Sequence, residues 1–198
     1  MVDQSKLDSL ARETRLYNII DMGLTFSAMI RLFQKGSKER LHERILVEGR
    51  NVFEAKSEEQ FMDIHSRFCD WGIEEILLAE KKRSGRVVKE ATEASYGQIA
   101  KTFDVAMKVV IYYSHFPSCE KSRELSKWLN AAVDTKMMTM LKKHYPKDLQ
   151  SWPATVQEVD KTAYKAIQRI VRKFIKDKHN NSIMPVQFDD IYWKALNR

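Results

Sequence analysis

Residues 97–140 read GQIAKTFDVAMKVVIYYSHFPSCEKSRELSKWLNAAVDTKMMTM, and their spacing decides the fold class. Ala100, Phe103, Met107, Val110 and Ile111 recur at three- and four-residue intervals, the period of one buried helical face. Lys101, Asp104, Lys108 and Tyr112 fall on the other side of that helix. Pro117 should end it, because proline lacks an amide hydrogen and its ring clashes with the preceding turn. Residues 118–130 then read as a short inserted helix with Leu125, Trp128 and Leu129 on its apolar side. Asp134 stands before Thr135, Met137, Met138 and Leu141 as a helix N-cap.

The same period extends outward in both directions. Towards the N-terminus, Leu7, Leu10, Leu16, Tyr17 and Ile20 suit a helix in which Gly23 permits a bend, with Met22, Met29 and Phe33 in the core. Leu41, Ile45, Leu46, Val52 and Phe53 suit a second helix after Gly36. Ser57 and Gln60 form a capping box ahead of Phe61, Ile64, His65 and Phe68. His65 reads as a core residue, with a ligand or base role as the alternative. Towards the C-terminus, Thr155 and Glu158 form a second capping box before the most amphipathic helix, whose apolar side holds Tyr164, Ile167, Val171, Phe174 and Ile175. Phe188, Ile191, Tyr192, Trp193 and Leu196 are too many large apolar groups to remain loose, so the C-terminus should dock on the body.

The expected fold class is all-α, with residues 1–198 forming a single compact multi-helix domain, or one with two lobes about a cleft. With 198 residues, the chain could bury about 70% of the surface its unfolded form exposes. Six Gly and four Pro among long periodic segments leave strands little support. Cys69 and Cys119 fit no zinc spacing, and there is no secretory leader or long apolar span. The expectation is a cytoplasmic protein with free thiols, no metal, no cofactor and no membrane partner. A net charge of +7 points to an anionic partner, with nucleic acid first and an acidic protein or membrane surface behind it; the expected partner is DNA, with a protein as the alternative.

Two residues carry candidate chemistry. Lys101 lies in the first turn of its helix, where the positive end of the dipole disfavours the ammonium form, and partial burial acts in the same direction. Such an amine can act as a nucleophile near neutral pH. Asp134, at a helix start, is stabilised as the anion. The plain alternative is a solvated lysine and an aspartate that only caps.

Gly97, Lys101, Thr102 and Val105, followed by Ala132, Val133, Asp134 and Thr135, resemble the G-x-x-x-K-T and (A/P)-V-D-T segments of the helix-hairpin-helix DNA glycosylase and abasic-site lyase superfamily. The resemblance covers about a fifth of the chain, and the long Lys-to-Asp interval is most similar to the archaeal 8-oxoguanine glycosylase branch. It implies that Lys101 attacks the sugar C1′ of a flipped nucleotide, while Asp134 assists base departure and proton transfer.

The remaining candidates concern binding. Among the aromatics ahead of Pro117, which read mostly as core, Tyr112 on the Lys101 side is the functional exception that could stack on a base, whereas Trp128 could border a pocket but is better read as packing. Lys81, Lys82, Arg83 and Arg86 form a basic run read as an exposed loop, either touching phosphate or simply solvated. Lys161, Lys165, Arg169, Arg172 and Lys176 share one side of the amphipathic helix, a one-signed stripe suited to nucleic acid or to an acidic protein face. Two functions follow: a DNA-repair glycosylase with lyase activity, or a non-catalytic helical module that binds nucleic acid or protein through the basic helix.

Overall fold

The computed structural model describes residues 3–84 and 86–196, with their side chains except those of residues 81–83, 86, 87, 89, 193 and 196. Among the described residues the protein is all-α, with eight α-helices and two short strand ladders. One hydrophobic cluster runs through it from Leu16 to Phe188.

Helix α1 (Gln4–Phe26) starts where the Asp3 carboxylate accepts the Ser5 amide at 3.0 Å. It passes unbroken through Gly23, where the sequence permitted a bend. A Cβ at Gly23 would stand 2.9 Å from Ala106 Cα, so this glycine lets two helix backbones approach closely. Met22, expected in the core, is 41% exposed, since it lies about 100° around the helix from the side that Gly23 turns to α4. A 3-10 turn (Ala28–Leu32) leads to α2 (Ser37–Glu54) and then to α3 (Glu58–Glu75), which Ser57 caps through the Gln60 amide at 3.2 Å.

The basic run between α3 and the next helix is not an open loop. Strand β1 (Leu77–Leu78) pairs with β4 (Thr92–Glu93), and β2 (Lys81–Arg83) pairs with β3 (Arg86–Lys89), both antiparallel. These strands are two to four residues long, too short for an alternating pattern to register in the sequence. Lys81, Lys82, Arg83 and Arg86 belong to the hairpin, and their side chains lie outside the described residues.

Helix α4 (Tyr96–Met107) is the centre of the fold, packed against α1, α3 and α7. All its residues are buried except Lys101 and Val105. A helix enclosed in this way is held by tertiary packing rather than by propensity. Asp104, expected on the open side with Lys101, faces inward instead. Its Oδ1 accepts from His65 Nε2 at 3.1 Å, and its Oδ2 accepts the Tyr164 hydroxyl at 2.7 Å. His65 is thus part of a buried polar network. Burial disfavours its charged ring, but the neighbouring Cys69 sulfur and Asp104 carboxylate outweigh that and push it up to about 10.

Beyond α4 the helix continues as a π-turn (Lys108–Tyr113), and the Phe116–Pro117 peptide is cis. Helix α5 (Cys119–Ser126) is shorter than its apolar pattern suggested, and residues 129–134 run without helix into α6 (Thr135–His144). The Thr155/Glu158 pair closes a 3-10 turn (Val156–Glu158) instead of opening the amphipathic helix. That helix, α7 (Lys161–His179), starts at Asp160, which caps the Ala163 amide at 2.7 Å. Helix α8 (Pro185–Leu196) docks on α6 and α7, burying Val186 and Phe188. No helix of the described residues is long and apolar enough to cross a membrane.

Candidate functional site

The exposed edge of α4 opens into a cleft of about 400 Å³, lined by Lys101, Val105, Lys108, Val109 and Tyr113 from the central helix and its continuation. Phe26, Ser27 and Ala28 close one side. Ala132 and Asp134 close another, and Asp189 and Asp190 of α8 a third. A wider groove of about 1000 Å³ runs along α1 and meets the cleft at Tyr113. It is shallow and carries no convergence of ionisable groups, so the smaller cleft is the chemical candidate.

Ser95 and Gln98 hold the start of α4 in a reciprocal cap: the Gln98 amide donates to Ser95 Oγ and the Ser95 amide to Gln98 Oε1 at 2.9 Å. The Gly97 amide donates to Val159 O at 2.9 Å, and a Cβ at Gly97 would stand 2.6 Å from Val156 O. Gly97 is therefore a point of close packing against the segment before α7, and its amide is already used within the protein.

Lys101 follows one turn later. Its Nζ stands 4.0 Å from Asp134 Oδ2, and both side chains are largely shielded. Burial holds the Lys101 amine below its ordinary range, opposed by the carboxylates of Asp134 and Asp189. Asp134 caps α6, its Oδ1 accepting the Met137 amide at 2.7 Å, which leaves Oδ2 towards Lys101. The segment leading to Asp134 is clamped by Gln168 of α7. Its Oε1 accepts the Ala131 amide at 3.2 Å, and its Nε2 donates to Ala131 O at 2.8 Å.

The third wall holds residues that periodicity did not identify. Lys108 is buried and donates to Asp189 Oδ2 at 2.9 Å and to Asp190 Oδ1 at 2.5 Å. Burial works against its charge, but those two carboxylates raise it overall. Tyr113 donates to Asp190 Oδ1 at 2.7 Å. Burial pushes Asp189 up to about 6 despite the pull of Lys108. Two buried polar atoms of residues that line the cleft, Ser27 Oγ and Asp189 Oδ1, have no hydrogen-bond partner among the described residues. Such atoms are uncommon in a folded interior and suit a site that receives a polar ligand.

The π-turn explains why Tyr113 takes the place expected of Tyr112. Its i→i+5 bonds, continued by the Ser114 amide to Val109 O at 3.0 Å, advance the register by one residue. Tyr112 is partly buried outside the cleft lining, where its hydroxyl accepts from Gln187 Nε2 at 3.0 Å. Trp128 also lies outside the lining, with Lys121 Nζ 5.6 Å from its ring centroid.

The basic stripe is less one-signed in space than along the chain. Lys161 pairs with Asp70 at 2.6 Å and Arg172 with Glu58 at 2.8 Å, both acids supplied by α3. Lys165, Arg169 and Lys176 are exposed and make no ion pair among the described residues. Lys165 and Arg169 border a groove of about 450 Å³ with Met62 and Gln168. Arg172 Nη1 also reaches Asn130 Oδ1 at 3.4 Å, so this groove and the cleft lie at the two ends of the 130–134 segment. Among the described residues no group of three or more His, Cys, Asp or Glu is placed to hold a metal ion. Comparison with protein-family models, with curated proteins and with solved structures finds no match for the chain.

Proposed function

We propose that this protein is a DNA-repair glycosylase with abasic-site lyase activity, acting on a nucleotide flipped into the cleft. The observation that carries the reading is an amine and a carboxylate 4.0 Å apart in one cleft, with the ammonium form of the amine disfavoured by burial. The Lys101 amine adds to C1′ while the base leaves with the glycosidic electron pair. Asp134 stabilises the positive charge that develops on the sugar. Opening of the sugar ring leaves a Schiff base between Lys101 and C1′.

Other features fit the same substrate. Phe26 and Tyr113 stand half-exposed at the cleft and offer faces on which a flipped base can stack. Flipping costs a few kcal/mol, which stacking and phosphate contacts offset. Lys165, Arg169 and Lys176 of the stripe make no ion pair among the described residues and are open to such contacts. Those same cations also favour the second reading, a non-catalytic module that binds nucleic acid or protein through α7. Under that reading, changes at Lys101 and Asp134 alter stability at most.

Borohydride reduction on duplexes carrying an abasic site or 8-oxoguanine separates the two. A covalent protein–DNA adduct, lost in Lys101→Gln while DNA affinity is retained, is the expected result. Intact DNA binding with no adduct on either duplex would leave the binding module.

A further inference from the structure

The lysine and Asp134 account for base removal and Schiff-base formation, but strand cleavage needs a separate group to accept a proton from the sugar. We infer that Asp189 is that group, taking a C2′ hydrogen from the Schiff base held on Lys101 and so releasing the 3′ phosphate. The inference rests on the lyase reading of the cleft.

The carboxylate oxygens around the cleft differ in what already occupies them. Asp134 Oδ1 holds the Met137 amide and Oδ2 lies beside Lys101. Asp190 Oδ1 accepts from both Lys108 and Tyr113, and the residue is exposed. Asp189 Oδ2 accepts from Lys108, whereas Asp189 Oδ1 is buried and has no partner among the described residues. An anchored carboxylate with one free oxygen has the form of a positioned base. Lys108 anchors Asp189 through Oδ2, and Asp190, which accepts from Tyr113, holds Lys108 in turn, so the free oxygen is set by packing rather than by solvent.

Its placement relative to the nucleophile is also apt. Asp189 lines the same cleft as Lys101, and its charge is felt by the Lys101 amine without an ion pair between them among the described residues. Once Nζ is bonded to C1′, the next carbon along is C2′, one atom further from Nζ than the centre that Asp134 serves. The ionisable groups around Asp189 are Lys101 and Lys108, Tyr113, Asp134 and Asp190. Burial raises Asp189 to about 6, the range in which a carboxylate both accepts a proton readily and remains ionised at neutral pH.

The step balances without any oxidant or reductant. The C2′ proton passes to Asp189, its C–H electron pair forms C1′=C2′, and the C1′=N pair moves onto nitrogen as an enamine. The enamine then re-forms N=C1′ and makes C2′=C3′. The C3′–O bond breaks and the phosphate departs with its electron pair. Water hydrolyses the remaining imine, freeing Lys101 and an unsaturated aldehyde.

The test follows borohydride-trappable adduct and strand cleavage separately, in single turnover on an abasic-site duplex. Asp189→Asn should still form the adduct, while cleavage of that adduct slows about 100-fold, the low end of what a general base contributes. In Asp189→Ala, added acetate should restore part of the cleavage rate. In the wild type, cleavage should rise with pH through about 6 and then level, a limb absent from Asp189→Asn. Retained adduct also shows that the variant folds with its cleft intact. An Asp189→Asn variant that cleaves its adduct as fast as the wild type overturns the inference. So does a wild-type rate that is flat over about pH 5–8, which needs no variant to fold. Absence of adduct in the wild type overturns the lyase reading itself and is thereby distinguished from failure at Asp189.

Discussion

Gln168 offers a perturbation whose cost can be worked from its contacts. Its amide makes two bonds to Ala131, one to the backbone N–H and one to the carbonyl, and both residues are buried. No other hydrogen bond serves either Ala131 group among the described residues. Gln168→Met keeps a side chain of similar length and removes both partners. Each orphaned buried group costs about 1–3 kcal/mol, and because the segment can shift to reach water the two will not add fully, giving about 2–4 kcal/mol. For a chain of this size that is a fall in Tm of roughly 5–15 °C. Thermal and urea unfolding measure it directly. The same segment ends in Asp134, three residues on, so the shift that relieves Ala131 also draws the carboxylate from Lys101. Borohydride trapping by folded Gln168→Met should therefore drop as well. A variant within about 0.5 kcal/mol of wild type, the range of a neutral surface change, would refute the claim that this clamp holds the segment.

Two further outcomes follow from the pairing of charges. Lys165→Glu with Arg169→Glu should weaken DNA binding and lower its salt slope by about 2, one for each phosphate left without its cation, whereas Lys161→Gln should change the slope little because Lys161 already pairs with Asp70; equal slopes for the double variant and the wild type would remove α7 from the DNA interface. His65 moves from an ordinary 6.5 to about 10 on folding, so the native state holds its proton more tightly, and the resulting stabilisation is complete below about 6.5 and lost as pH rises through about 10. Urea midpoints should fall across that window in wild type and much less in Asp104→Asn, and parallel profiles would mean that His65 folds uncharged.

The helical elements were legible because burial imposes a period. Ala100, Phe103 and Met107 announce one side of α4, Asp134 announces the cap of α6, and the apolar stripe of α7 places Tyr164 in the interior. Short elements escape that signal. The paired strands Lys81–Arg83 and Arg86–Lys89 are too brief to alternate, and Gly23, which along the chain only permits a bend, marks a close approach of two helices. Asp104 shows a different failure. A polar residue is expected at the surface unless its partners are known, and these are His65 and Tyr164, 39 and 60 residues away along the chain.

The sequence by itself determined the all-α class and the capping aspartate, because each depends on neighbours within a few residues; it set Lys101 in the first turn of its helix, whereas α4 begins at Tyr96 and carries Lys101 in its second turn. Only the tertiary structure decided what surrounds that lysine. The π-turn exchanges Tyr112 for Tyr113, α3 supplies acids that neutralise Lys161 and Arg172, and α8 brings Asp189 and Asp190 to Lys108 across more than 80 residues of chain. A local period records which side of a helix is buried. The charge partners and free oxygen atoms of a cleft depend on how separate helices pack, and a pattern within one helix carries no trace of them.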